Sequence, residues 1–169
     1  MTVAFDTLDP RFARMRDHLT ALGGDRRMPR RADLDPQAFA DMLPFVNLID
    51  VVLANEAVRF RFRLVGTAQG AAAQLDYAGR WVDDVVDPAL RPRVLDDLTR
   101  VVATCLPQYG RYGLPFPGRG FIDSERMFYP LSDDGQGIRC HGGAVECGKR
   151  AGRHPVVAVE EGQPLAPDH

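Results

Sequence analysis

The most constraining feature of this sequence is an eight-residue stretch in which apolar and charged side chains alternate. Arginines occupy positions 59, 61 and 63, between the apolar residues Val58, Phe60, Phe62 and Leu64. A period of two places these sets on opposite faces of a β-strand. The preceding stretch, Phe45 to Leu53, is rich in β-branched residues, and residues 54–57 fit a turn. We therefore expect an antiparallel hairpin with one wall on the core and the other wet or covered by something polar.

The rest of the chain alternates between helical and extended patterns. A helix is expected from Pro10 to the Gly23-Gly24 pair, a short one from Asp35-Pro36 to Leu43, another from Ala68 to Leu75, and a longer one between Asp87-Pro88 and Pro107. Further strands are expected over residues 109–116, 121–131 and 138–147. This order predicts an α+β fold, in which helices cover one face of a five-stranded antiparallel sheet and an N-terminal helix flanks it.

Three segments are expected from the changes in composition. Residues 1–27 form the flanking helix and its link, residues 28–147 form the domain, and residues 148–169 form a mobile tail with one short extended piece at Val156 to Val159. The whole chain has 169 residues and a formal net charge of −2, which provides no global field for nucleic acid or anionic lipid. We expect a cytoplasmic protein, because the sequence has neither a membrane-spanning stretch nor a signal-peptide pattern.

The N-terminal helix carries an apolar stripe with the a/d spacing of a coiled coil. The stripe allows two interpretations: it docks on its own domain, or it pairs with a second copy of the chain. Under the second interpretation it is a dimer helix whose contact residues are Phe12, Met15, Leu19 and Leu22.

Candidate chemical sites are sparse. Cys140, His141 and Cys147 lack paired C-x-x-C spacing and point to different faces of a continuous strand, so we expect no metal site. The chain has no phosphate-binding or nucleophile motif, and His141 is the best acid–base candidate for an alternative reading as a small α+β enzyme. Residues 11–31 contain seven arginines and only two acidic residues, which leaves nucleic-acid binding as a weaker alternative.

The element order, together with several short stretches, resembles the PAS family, particularly small stand-alone bacterial PAS-like domains. The stretches are Met28 to Pro36, Phe62 to Thr67, Ala78 to Asp83 and Tyr129 to Gly135, and the likeness covers roughly residues 28 to 147. The resemblance implies a sensory or protein-interaction module that binds a small ligand or a partner protein, dimerises through an N-terminal helix and has no catalytic activity. It also implies a separate signalling protein as a partner.

The resemblance places a ligand pocket between the sheet and the helices that follow the second strand. By position, its lining is expected to be Phe60, Phe62, Leu64, Ala72, Trp81, Tyr129 and His141, with Arg63 and Arg80 as candidates to clamp a carboxylate. The cofactor is unknown. Residues 68–86 contain no cysteine for a flavin photosensor, and residues 26–140 contain no histidine to act as a haem ligand.

Overall fold

The computed structural model describes residues 10–54, 57–73, 75–116, 120–132 and 154–162. Four α-helices lie in these ranges: α1 (Pro10–Gly23), α2 (Thr67–Ala73), α3 (Val82–Val85) and α4 (Arg91–Thr104). Short 3-10 helices occupy Arg31–Asp33, Pro36–Phe39 and Leu43–Phe45. The strands are β1 (Val46–Ala54), β2 (Ala57–Leu64), β3 (Gln108–Phe116), β4 (Gly120–Pro130) and β5 (His154–Gly162). The expected α+β class is confirmed.

The alternating stretch forms the second strand of a hairpin, as predicted. β1 and β2 pair antiparallel, with Leu53 opposite Val58 and Ala54 opposite Ala57. Phe60 and Phe62 are buried, whereas the intervening Arg61 is only half-buried. The period-two pattern therefore predicted both the strand and the face that it buries.

The strands pair in the order β2-β1-β5-β4-β3, and each pair is antiparallel. β5 thus lies between β1 and β4, although its residues fall within the segment that was expected to be a mobile tail. The short extended piece expected at Val156 to Val159 is confirmed as part of β5. It pairs with Val46 to Ile49 on one side and with Met127 to Pro130 on the other, so residues 154–162 belong to the sheet and not to a mobile tail. The strand predicted over residues 138–147 lies outside the described residues.

Two apolar cores lie on opposite faces of the sheet. The inner core joins α4 to β1, β2 and β4 through residues that include Leu98, Val102, Ile49, Phe62 and Phe128. The outer core joins α1 to the start of β1 and the end of β4 through residues that include Phe12, Leu19, Val46, Met127 and Tyr129. Phe128 belongs to the first core and its neighbours Met127 and Tyr129 to the second, as alternation in a strand requires. The expected N-terminal flanking helix is α1, and it covers part of the other face.

Two local contacts fix how the hairpin meets its neighbours. The buried side-chain oxygen of Asn47 accepts a hydrogen bond from the backbone N–H of Gly66, at 2.9 Å. At Gly66 a Cβ atom would lie 2.3 Å from the carbonyl oxygen of Pro44, so only glycine permits this close approach. The end of β2 is thereby held against the 3-10 helix that leads into β1.

The long helix α4 begins and ends close to where the sequence predicts. Proline lies in its first turn, where the missing N–H costs nothing, and the helix ends at Cys105 in a left-handed conformation with φ of 57°. The backbone N–H of Cys105 donates to the carbonyl of Val101, which satisfies one of the terminal carbonyl groups. The side chain of Cys105 is buried in the inner core.

Candidate functional site

Three arginines line the face of β2 that turns away from the inner core. Arg59, Arg61 and Arg63 alternate with the buried Phe60 and Phe62, and we call these three arginines the arginine row. The row lies on the same face of the sheet as α1. The two do not overlap, because α1 packs against β4 and the start of β1, whereas the row lies on β2. The side chains of the row remain between 22% and 43% exposed.

Trp81 flanks the row because the chain folds back along the outer edge of β2. The N–H of Phe62 donates to the carbonyl of Arg80 at 3.0 Å, and the N–H of Gly79 donates to the carbonyl of Phe62. Gly79 has a φ of +81°, a conformation that glycine adopts without strain. These bonds bring Trp81 opposite Arg61 in an antiparallel bridge. The edge of the sheet is therefore covered locally, and the only tryptophan of the chain lies beside the arginines.

The indole ring of Trp81 contacts two guanidinium groups. The Arg59 guanidinium carbon lies 4.2 Å from the centre of an indole ring, and that of Arg61 lies 5.6 Å away. Both distances are within the range of cation–π attraction, which contributes about 0.5–1 kcal/mol at exposed sites. Trp81 thus restricts the orientation of two arginines.

Two carboxylates form ion pairs with arginines of the row. Asp83 on α3 bonds Arg59 at 2.5 Å, and Asp50 on β1 lies 2.6 Å from Nε of Arg63. Asp50 is only 9% exposed and lies directly across the hairpin from Arg61, yet the nearest nitrogen of Arg61 is 3.8 Å from it. Arg59 and Arg63 are therefore held closely by carboxylates, whereas Arg61 has a longer contact with Asp50 and is the most exposed arginine of the row.

The expected pocket residues do not come together in one place. Phe60 and Phe62 pack in the inner core, where the Phe62 ring meets Tyr77 edge to face at 4.7 Å. Leu64 is 47% exposed, and Trp81 contacts the arginine row instead of forming a helical wall, so both assignments are corrected.

Of the remaining pocket residues, only Tyr129 can be placed by its side chain. Tyr129 lies in the outer core, on the opposite face of the sheet from Phe62, so its assignment to the same pocket is also corrected. Ala72 lies in α2, but its side chain is not among those described, and His141 lies outside the described residues. The role of His141 as an acid–base group therefore stays a prediction.

The stripe on α1 is used within the molecule. Phe12, Met15 and Leu19 are almost fully buried in the outer core, and Leu22 packs against it. The same side chains cannot also form a seam with a second copy while α1 stays docked. Of the two interpretations, the structure shows docking on the chain's own domain, and the assignment of these residues to dimer contacts stays a prediction.

Tyr129 links α1 to the sheet by a polar contact. Its hydroxyl lies 2.9 Å from the hydroxyl of Thr20, in hydrogen-bond distance. Burial raises the pKa of Tyr129 above its ordinary value, and the hydrogen bond with Thr20 acts in the opposite direction. The neutral phenol is therefore the form that fits this core.

Several of the N-terminal arginines have partners within the chain. Arg26 and Arg30 both bind Asp33, and Arg27 donates to the carbonyl of Thr104. The hydrogen bond from Arg30 holds the pKa of Asp33 below its usual range. The contact of Arg27 joins the link between α1 and the sheet to α4. Together these contacts weaken the nucleic-acid alternative that was based on the arginines of residues 11–31.

Sequence reasoning missed two charged residues that the fold buries. Asp50 interrupts the apolar run of β1, and its position across the hairpin from alternating arginines is the signal that could have identified it. Arg126 on β4 is 7% exposed and lies on the same side of the strand as Phe128. Nothing in the local sequence distinguishes Arg126 from an exposed arginine.

Other kinds of site find no support among the described residues. Within those ranges, no three His, Cys, Asp or Glu side chains cluster as metal ligands would. No helix in the described parts of the chain has the length and apolar character needed to span a bilayer. Cys140 and Cys147 lie outside the described residues, so the expectation about them stays a prediction.

An antiparallel sheet with helices packed on its inner face and an N-terminal helix on its outer face defines an α+β domain. The family model for the PAS domain matches residues 10–144, which is most of the chain. The chain belongs to the PAS domain family. No curated protein and no solved structure matched it.

Proposed function

We propose that this chain is a sensory or protein-interaction domain that works by contact with a partner protein and catalyses no reaction of its own. Membership of the PAS family supports the general class. One observation favours protein contact over ligand binding in particular: two aromatic residues expected to line a ligand pocket pack within the core instead, while a set of polar side chains on the other face stays partly exposed.

The inner core is already filled at the place where a ligand pocket was expected. Phe60 and Phe62 are 2% and 4% exposed, and they pack with Tyr77, Leu98 and Phe128. A ligand bound here would have to force apart side chains that already fill the core, and the insertion of extra methylene groups into a well-packed core costs about 1–3 kcal/mol. Ligand binding at this place would therefore carry a large cost in packing.

The outer face of the β1–β2 hairpin stays accessible to a partner protein. Val52, Arg59 and Arg61 are neither buried in a core nor fully exposed. Arginine and tryptophan are the residues most enriched where protein interfaces derive their binding energy. A surface that combines Trp81 with the arginine row is suited to a protein partner.

Native mass spectrometry of the freshly purified full chain tests the proposal. We expect the mass of the bare chain or a multiple of it, equal per subunit to the mass measured after denaturation. A stoichiometric small molecule that is lost on denaturation would contradict the proposal and support a ligand sensor. The same spectrum counts subunits, so it also tests the prediction of a homodimer. The cytoplasmic location stays a prediction.

A further inference from the structure

We propose that the arginine row and Trp81 bind an extended acidic segment of a partner protein, with carboxylates at alternate positions of that segment. This inference rests on the proposed function, because it names the chemistry of the partner. The observation that supports it is that three arginines, spaced two residues apart on one strand, lie beside a tryptophan and two carboxylates.

The spacing of the row selects the conformation of the segment. Alternate side chains on one face of a strand repeat at roughly 6.6–6.8 Å, which follows from a rise of about 3.3–3.4 Å per residue. An extended peptide has the same repeat, so carboxylates at every second position can each meet one guanidinium group. In a helix, carboxylates two positions apart lie on different faces and would not meet the row.

The row is held in place before a partner arrives. Asp83 and Asp50 bind Arg59 and Arg63, and Trp81 restricts Arg59 and Arg61. Ordering a free arginine at an interface costs about 0.5–1.5 kcal/mol, and part of that cost is met here by contacts within the chain. Preorganised guanidinium groups bind carboxylates through two parallel hydrogen bonds, which adds directional specificity.

Arg61 is the position where a partner carboxylate gains most. Its side chain is 43% exposed, and the nitrogen nearest to Asp50 is 3.8 Å away, beyond hydrogen-bond distance. A guanidinium group has five N–H donors, so Arg61 can form a bidentate pair with an incoming carboxylate. Trp81 beside it offers an apolar surface for a neighbouring side chain of the segment.

The charge of the surface favours an acidic peptide over a nucleic acid. The three arginines and the two carboxylates Asp50 and Asp83 sum to a net charge of +1, in a chain whose net charge is −2. Nucleic-acid binding depends on many cationic contacts that release counterions, and the two carboxylates would repel a continuous phosphate backbone. A discrete carboxylate can instead meet Arg61, which has no carboxylate of its own chain within hydrogen-bond distance.

Binding can be measured through Trp81, because it is the only tryptophan of the chain. The probes are two capped six-residue peptides of equal composition, one with alternating Glu and Thr and one with three Glu followed by three Thr. We expect the alternating peptide to change the fluorescence of Trp81 and to bind roughly tenfold more tightly than the block peptide. The block peptide can form about one fewer charged hydrogen-bonded pair with the row. Equal affinity for the two peptides, or no binding by either at low salt, would overturn the inference.

Two variants that each remove one positive charge test whether Arg61 itself binds the peptide. Arg61→Gln should weaken the alternating peptide by roughly tenfold, while Arg100→Gln, which removes the same charge from the exposed side of α4, should change affinity less than twofold. Equal loss in both variants would overturn the inference, since it would reflect net charge alone. Thermal unfolding of both variants checks that each is folded.

A single-stranded oligonucleotide serves as the competing probe. Tighter binding of the oligonucleotide than of the alternating peptide, abolished by Arg61→Gln, would overturn the inference in favour of a nucleic-acid surface. If neither peptide binds and the native mass spectrum shows no bound small molecule, the acidic partner is refuted and the proposed function stands. A ligand in that spectrum would refute the proposed function independently.

Discussion

Replacing Leu19 by alanine tests whether α1 belongs to the core of its own domain. Leu19 is fully buried between α1 and the sheet, among residues that include Met127 and Leu131. The substitution removes three carbon groups, which corresponds to about 2.4 kcal/mol at about 0.8 kcal/mol each, and the remaining cavity adds to this. We expect Leu19→Ala to lower the free energy of unfolding by roughly 3–4 kcal/mol.

Urea denaturation followed by circular dichroism at two protein concentrations measures this loss. Because the contact lies within one chain, the loss should be the same at both concentrations. Leu106→Ala is the control, since Leu106 is 58% exposed and its truncation should cost less than about 0.5 kcal/mol. A loss below about 1 kcal/mol for Leu19→Ala, or a loss that differs strongly between the two protein concentrations, would refute intramolecular docking.

Two further predictions concern packing and pH. Gly66→Ala should lower the free energy of unfolding by roughly 1–3 kcal/mol, because the new Cβ would meet the carbonyl of Pro44. Gly70→Ala is the control and should cost nothing, because its Cβ would have no neighbour closer than 3.8 Å. Equal urea midpoints for the two variants would contradict this prediction. The raised pKa of Tyr129 contributes stability that is complete below its unfolded pKa, about 10, and is lost as pH rises through the folded value. Urea midpoints from pH 8 to 11 should therefore fall less for Tyr129→Phe than for the unaltered chain, and parallel declines would argue against a buried phenol.

The hairpin, the limits of α1 and the course of α4 could all be predicted because each depends on local pattern. Alternation identified β2 and its buried face, and the proline and glycine signals located Pro10 and Gly23. These features need only the residues that are near one another in sequence.

Features that depend on distant pairing could not be predicted. The apolar run Val156 to Val159 predicts an extended piece, but its place as a central strand depends on its two neighbours in the sheet. The stripe on α1 has the same spacing whether it meets a sheet or another helix, so its partner cannot be predicted from periodicity. The place of Trp81 beside Arg59 follows from the return of the chain along the edge of β2, which has no signature in the local sequence.

The central claim is that the outer face of the β1–β2 hairpin is the working surface, and site-specific photo-crosslinking in cells tests it most directly. A photoreactive residue at Val52, which lies opposite Arg59, should give a discrete adduct with another protein, while the same residue at the exposed Thr99 on α4 should not. Arg61→Gln should weaken the adduct formed from position 52. Equal adducts from both positions, or an adduct from position 99 alone, would contradict the account.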